Sequence, residues 1–212
     1  MRFSAYDGAM AYDVDQVAQA ALKLLAEVGL DGLTTRRLAG ELGIEGAALY
    51  YHFENKAELL GHMATAILRE SLEQTPNRDN WKQWLLDHAM ATRRTMLRYR
   101  DSARIISNSA PTDAMKREIM PAVAQPLIDA GFTSVDAYEM VSLIAAFTLG
   151  FVINEQNLVV RNFMSSLINV ERGYLHGVEA IISGVEKNYQ PRKDKTRKPR
   201  KAPDVASGDR TH

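Results

Sequence analysis

LTTRRLAGELGIEGAALYYHFENKAELL, residues 33–60, decides the reading of the whole chain. Thr34 is an N-cap residue, and the apolar positions Leu38, Ala39 and Leu42 recur at helical spacing behind it, so a helix is predicted over 35–42. Gly43 closes it, because only glycine takes the left-handed backbone of a helix end without a Cβ penalty. A second, short helix is predicted over 45–52. Ile44 and Leu49 face the corner, and Ala39 is small where the two helices press closest. Asn55, with Glu58 three residues on as its reciprocal cap, opens a longer helix running to 73. The spacing is that of a helix-turn-helix, a shape whose second helix suits a DNA major groove. Gly46, Ala47 and Ala48 open that helix and let backbone approach closely; Tyr50, Tyr51, His52 and Lys56 follow where a phosphate strand would pass.

Outward from this segment the pattern stays helical. Asp13 and Gln16 form a capping box for a helix over 14–28, ended by Gly29. Further helices are predicted over 80–99, 102–108, 112–130, 134–156 and 170–188, with Arg100-Asp101, Pro111, Gly131 and the stretch 157–169 as connectors. The fold class is all-α: an N-terminal three-helix helix-turn-helix domain (1–60), a C-terminal helical bundle (61–189), and a basic tail (190–212) read as disordered.

Composition sets the limits. The chain has 212 residues, 46% of them hydrophobic, enough for a sizeable core. There are no cysteines, hence no disulfide framework, thiol nucleophile or Cys-ligated zinc. The N-terminus lacks the basic flank and apolar run of a signal peptide. The longest apolar stretch, VSLIAAFTLGFVI at 141–153, falls short of the ~20 residues of a membrane span. A cytoplasmic protein with no membrane partner is the expectation. The formal charge is zero, but unevenly spread: residues 1–60 carry five basic and nine acidic side chains, and 190–212 carry eight basic and three acidic. The tail either attracts phosphates or merely solvates the terminus. The acidic first domain argues against tight non-specific DNA binding by one copy alone.

The run Leu49-Tyr50-Tyr51-His52-Phe53, then Asn55-Lys56 and Leu59-Leu60, resembles the signature of the TetR family of transcriptional repressors. The resemblance extends through Trp81, Arg100-Asp101, Ala110-Pro111-Thr112, Ala130-Gly131-Phe132 and Phe147-Thr148-Leu149-Gly150 to Gly177-Val178-Glu179 and Gly184-Val185-Glu186, covering 13–188 and pointing to the tetracycline-repressor class. It implies a homodimeric repressor of a palindromic double-stranded DNA operator, released by a small-molecule effector. By that resemblance Tyr50, His52 and Lys56 match positions that contact the DNA backbone, and Arg36 one that reaches a base edge or, alternatively, a phosphate. Thr34 and Thr35 are expected to cap the helix over 35–42 and also to donate to phosphate, the cap alone explaining one of them; Arg37 reads as a surface residue. Gly46, Ala47 and Ala48 depart from the larger polar groups of tetracycline repressors, which predicts fewer base bonds and a different operator.

The resemblance also places His88, Thr92, Ile106, Ser109, Pro111 and Asn154 at ligand-pocket positions. Ile106 stands where the family has a metal-binding histidine, and an aliphatic group cannot ligate Mg²⁺, so no cofactor is expected and an apolar or aromatic effector replaces the magnesium–tetracycline mode. His88 is alternatively a hydrogen-bonded helix histidine. Arg93, Arg94, Arg98 and Arg104 read as a solvated, ion-paired face, with an acidic ligand as the alternative. The small residues Gly173, Gly177, Ala180 and Gly184 suit either a close helix pair across a dimer or a packed monomer core. No Ser/His/Asp set, Gly-rich phosphate loop or metal triad is present, and the five histidines are scattered, so an enzyme is not expected. The alternative function is a DNA-binding regulator whose C-terminal domain serves a protein partner or no effector.

Overall fold

A computed structural model describes residues 12–77, 79–189 and 191; the tail prediction lies outside them. Every regular element among the described residues is helical: α1 (Val14–Gly32), α2 (Thr35–Leu42), α3 (Gly46–Leu49), α4 (Lys56–Glu73), α5 (Trp81–Arg98), α6 (Ser102–Ser107), a π-helical turn (Met115–Ile119), α7 (Met120–Asp129), α8 (Ser134–Gln156), α9 (Leu158–Leu167) and α10 (Val170–Asn188).

The caps work largely as predicted. Asp13 accepts from the Gln16 N–H at 2.7 Å and the Gln16 side chain accepts from the Asp13 N–H at 2.9 Å. Thr34 accepts from Arg37 N–H, and Gly43 takes the left-handed region at φ 67°. Each such cap contributes about 1 kcal/mol. Two details differ. Gly29 adopts φ 68° but only kinks α1, which runs one turn further to Gly32. Glu58 reaches back to the Glu54 N–H at 2.7 Å, not to the N-cap residue Asn55, whose side chain accepts from Glu58 N–H at 3.0 Å.

Two hydrophobic clusters hold the helices together. One gathers Val17, Ala21 and Leu25 of α1, Leu38 of α2, Leu49 of α3 and Met63 and Ile67 of α4, and continues into Met96, Ile105 and Val152 of later helices. The other joins Trp84, Leu85, Val123, Leu127, Met140, Ile144, Tyr174, Val178 and Ile182. α4 packs against α1, α5, α6 and the π-turn, so it touches both ends of the molecule.

Three sequence expectations are corrected by the C-terminal half. The span 112–130 is not one regular helix: its first turn is π-helical, which widens the helix where it meets α4. The stretch 157–169 holds α9, capped by Asn157, whose side chain accepts from the N–H groups of Val159 and Val160. None of its residues is buried, and Leu158, Val159, Phe163 and Leu167 stand exposed. α8 is 23 residues long, and an 18-residue stretch of it has a mean hydropathy of 1.5, apolar and long enough to cross a membrane by composition. Its buried face (Met140, Val141, Ile144, Thr148, Val152) packs on α5, α7 and α10, while Val135, Leu143 and Ile153 stay exposed, so within one chain it is covered on one side only.

Candidate functional site

The helix-turn-helix end presents two surfaces. Thr34, Thr35 and Arg36 are exposed at the start of α2, and Gly46 and Ala47 at the start of α3. A Cβ added at Gly46 would meet nothing within 4 Å, so nothing inside the protein requires a glycine there. Ala48 is turned inward, 9% exposed, which removes it from the expected DNA-facing set; the short α3 rotates it onto the core beside Leu49. Tyr50 is 61% exposed and Tyr51 72%. Tyr51, placed on the phosphate side by the sequence but given no role by the resemblance, is the more exposed of the two. The signal for it is present, because Leu49 and Phe53, four apart, take the inward face and leave Tyr50 and Tyr51 outside.

Lys56 and His52 are more entangled than their expected phosphate roles suggest. The Lys56 ammonium reaches the carbonyls of Leu30 (3.5 Å) and Leu33 (3.3 Å), where α1 ends, while its side chain remains exposed. A cation there complements the carbonyl end of that helix. His52 is half-buried, with Nε2 sealed from solvent and without a hydrogen-bond partner. Arg37 donates to the Gly32 carbonyl at 3.1 Å, as a surface residue would.

Helix α6 braces this end. Asp101, in the left-handed region at φ 57°, accepts from the Leu30 N–H at 2.9 Å, and Arg104 pairs with Asp31 at 2.8 Å, holding the Asp31 carboxyl below its usual range. On α4, Gly61 lies so close to the next segment that a Cβ would stand 2.3 Å from the Ala110 carbonyl oxygen.

At the other end of α4 is a cavity of about 110 Å³. Its walls are Leu68 and Ser71 of α4, Leu85, His88, Ala89 and Thr92 of α5, Ile119, Met120 and Val123, and Val141, Ser142, Ile144, Ala145 and Thr148 of α8. Of the six expected ligand positions, the structure brings His88 and Thr92 together here. Ile106 packs partly buried against the N-terminal cluster, the Ser109 hydroxyl donates to the Ile106 carbonyl, and Pro111 and Asn154 are exposed; none of the four lines the cavity. Leu68, Ser71 and Thr148 were missed because their spacing reads as ordinary helix core.

His88 stacks on Trp84 with ring centroids 5.0 Å apart, and its Nδ1 lies 3.1 Å from the Thr75 hydroxyl. Burial pushes its pKa down to about 4, so the ring is neutral at pH 7. Behind Thr148, the Tyr174 hydroxyl donates to the Ala89 carbonyl at 2.9 Å. Arg93, expected on a solvated face, is instead buried over the Tyr174 ring. It forks onto Glu155 (2.6 and 2.8 Å) and reaches Glu171 at 2.7 Å. Arg98 pairs with Glu70 and Arg104 with Asp31, as ion pairs were expected. Gly177 faces Phe147 of α8 within the same chain, while nothing approaches Gly184. The small-residue stripe is therefore half internal packing and half open surface.

Fold and geometry together define a helix-turn-helix protein whose all-helical body encloses an apolar cavity. The family described as "Bacterial regulatory proteins, tetR family" matches residues 18–63, and "Tetracyclin repressor-like, C-terminal domain" matches 74–165. The class D tetracycline repressor protein of Escherichia coli is 34% identical over 193 residues, covering 81% of this chain and 88% of the relative. The class A repressor from transposon 1721 in Escherichia coli is 44% identical over 142 residues, 66% of this chain; the matched stretch spans 65% of that relative's length. Among solved structures, TetR (class A) in complex with 5a,6-anhydrotetracycline and magnesium superposes with a TM-score of 0.65 at 38% identity, covering 81% of this chain and 96% of that one. The chain belongs to the TetR family of bacterial regulatory proteins, with a C-terminal domain of the tetracycline-repressor kind.

Proposed function

We propose that this protein is a cytoplasmic, ligand-responsive transcriptional repressor that binds a palindromic DNA operator as a homodimer and leaves it when a small molecule fills the cavity. The observation that carries this reading is the double duty of α4. Its first residue, Lys56, sits beside the helix-turn-helix, and its Leu68 and Ser71 line the cavity. A ligand that prefers one tilt of α4 shifts the population of DNA-competent dimers by its differential affinity and no more. The exposed apolar faces of α8 and α9, with the open stripe at Gly184, supply the surface on which two copies pair. The relatives' names support repression, and the class A structure supports a small-molecule effector in a body of this shape.

The test is binding to the DNA flanking the protein's own gene against a scrambled fragment, near 0.15 M salt, by fluorescence anisotropy. Selective binding with one dimer per two-fold site is the expected result. Equal, weak binding to both fragments overturns recognition of a local operator by this helix pair.

A further inference from the structure

Where each polar hydrogen in the cavity wall goes restricts what the cavity can hold. The Thr75 hydroxyl donates its proton to the Ser71 carbonyl at 2.8 Å. It therefore accepts from His88, whose Nδ1 must carry the ring's single proton. That leaves His88 Nε2 as a bare lone pair. It makes no hydrogen bond among the described residues, and it is not sealed from solvent as His52 Nε2 is. The Ser71 hydroxyl donates to the Leu68 carbonyl at 2.8 Å, so Thr92 must donate to Ser71 at 3.3 Å. The Tyr174 hydroxyl donates to Ala89, so Thr148 must donate to Tyr174 at 2.7 Å. Every interior polar group of the wall has spent its proton away from the cavity. Among the lining residues this leaves His88 Nε2, Thr92 Oγ1 and Thr148 Oγ1 able only to accept, on an otherwise apolar surface; Ser142, whose hydroxyl keeps its proton, is exposed at the rim.

From this arrangement we infer that the effector is an uncharged, single-ring compound carrying a hydroxyl or N–H donor, bound without a metal ion. The inference rests on the ligand-responsive reading above and names the chemistry of its site. An anion would find no cation in the wall and no donor deeper than the rim hydroxyl of Ser142, and a buried charge without a partner is strongly disfavoured. A donor group satisfies the lone pairs that an apolar ligand would leave stranded. Size sets only a ceiling: an apolar cavity of about 150 Å³ takes benzene, and this one, at about 110 Å³, offers room for one ring at most. A four-ring scaffold exceeds that space. Magnesium does not fit these residues, since it requires several oxygen ligands in octahedral array and usually a carboxylate. The wall has no carboxylate, and among the described residues no three His, Asp or Glu side chains come together to hold an ion.

The experiment is isothermal titration calorimetry on the full chain at pH 7.5, with phenol, anisole and benzoate, each in EDTA and in magnesium chloride. Phenol and anisole share a ring and differ by the donor; benzoate is an anion of similar size. Phenol binding about tenfold tighter than anisole, with benzoate silent and magnesium without effect, is expected. In His88→Phe, which keeps an aromatic ring on Trp84, the phenol preference falls toward one while anisole still binds. Thr75→Val, which frees the Nδ1 proton from its partner, narrows the preference in a second, independent way. Equal affinity for phenol and anisole, tighter binding of benzoate, a magnesium requirement, or no phenol binding up to its solubility limit each overturns the inference. Release of the operator fragment is scored separately. Phenol that binds without releasing DNA leaves the cavity chemistry standing and overturns the ligand-responsive reading, so the two failures are distinguishable.

Discussion

The two ends of α4 work under opposite physical conditions. At the Lys56 end, charged and small residues face water, and the ion pair that braces the region, Arg104–Asp31, is half to mostly exposed. At the Ser71 end, hydroxyls, an imidazole and the guanidinium of Arg93 are enclosed, and their protons are allocated. Solvent screens the first end, so its interactions there are individually weak and respond to salt. The second end is largely buried, so a mispaired group there costs more of its desolvation penalty. DNA affinity is thus assembled from many replaceable contacts, whereas ligand choice turns on a few irreplaceable ones.

The largest effect should come from breaking the enclosed end. Arg93→Ala leaves Glu155 buried beside a vacated guanidinium site and is expected to cost about 3–5 kcal/mol in urea unfolding. Asp31→Ala, which removes an exposed partner of Arg104, should barely move the midpoint. Comparable losses in the two variants would erase the contrast between the ends. Gly61→Ala is next. Its Cβ would stand 2.3 Å from the Ala110 carbonyl oxygen, so the 109–112 segment must retreat from α4, at about 1–3 kcal/mol. Because that contact lies between the two ends, ligand-dependent release of DNA should change more than DNA binding without ligand. Equal loss of both in a titration of the operator fragment would show that Gly61 serves packing alone.

How much of this was legible in the sequence follows the same division. The first helix and the turn were readable to the residue, because caps and glycine turns are local: Thr34, Gly43 and Asn55 do what their chemistry dictates, but the second helix, expected over 45–52, spans only Gly46–Leu49. Ala48 was misplaced because α3 is one turn long, and its facing depends on where the chain leaves Leu49. The cavity was only partly readable. His88 and Thr92 came from resemblance, while Ile106, Ser109, Pro111 and Asn154 fall outside it. Which helical hydroxyls share one space is a matter of helix packing, and no spacing in the sequence states that Ser71 of α4 faces Thr92 of α5 at 3.3 Å. α9 was missed for a related reason. Its capping residue and helical spacing were present, but its apolar side covers nothing within the chain, so it resembled a connector.

A smaller, pH-dependent effect tests whether the enclosed end stays neutral. Burial lowers the His88 pKa to about 4 in the folded chain, against 6.5 for a free imidazole. The unfolded chain therefore binds a proton that the folded chain refuses. The stabilisation is fully present above pH 6.5 and is lost as the pH falls toward 4, with a slope of at most about 1.4 kcal/mol per pH unit from this group. His62 shifts in the same direction through its own burial, so the wild-type curve contains both. The difference between wild type and His88→Phe isolates one proton. An unchanged slope between pH 6.5 and 4 in the variant would mean that His88 accepts a proton at Nε2 in place, which contradicts the burial that lowers its pKa.

The smallest effect falls at the open end and decides what Lys56 does. Its ammonium has three donors, and two carbonyls at the end of α1 take part of that capacity. If it also meets a phosphate, Lys56→Met removes one counterion-releasing cation per subunit. The slope of log affinity against log salt should then flatten by about one unit for each phosphate left without its lysine. Specific and scrambled DNA should weaken alike, because a phosphate contact carries no sequence information. Arg36→Met gives the control within the same surface. A guanidinium at a base edge changes the preference between fragments, whereas one at a phosphate repeats the Lys56 result. Should Lys56→Met leave the salt slope untouched and only lower the unfolding midpoint, the lysine belongs to the α1 carbonyls alone. The phosphate path would then run past Thr34, Thr35, Tyr50 and Tyr51, whose exposed hydroxyls carry no charge and would give a shallower salt dependence.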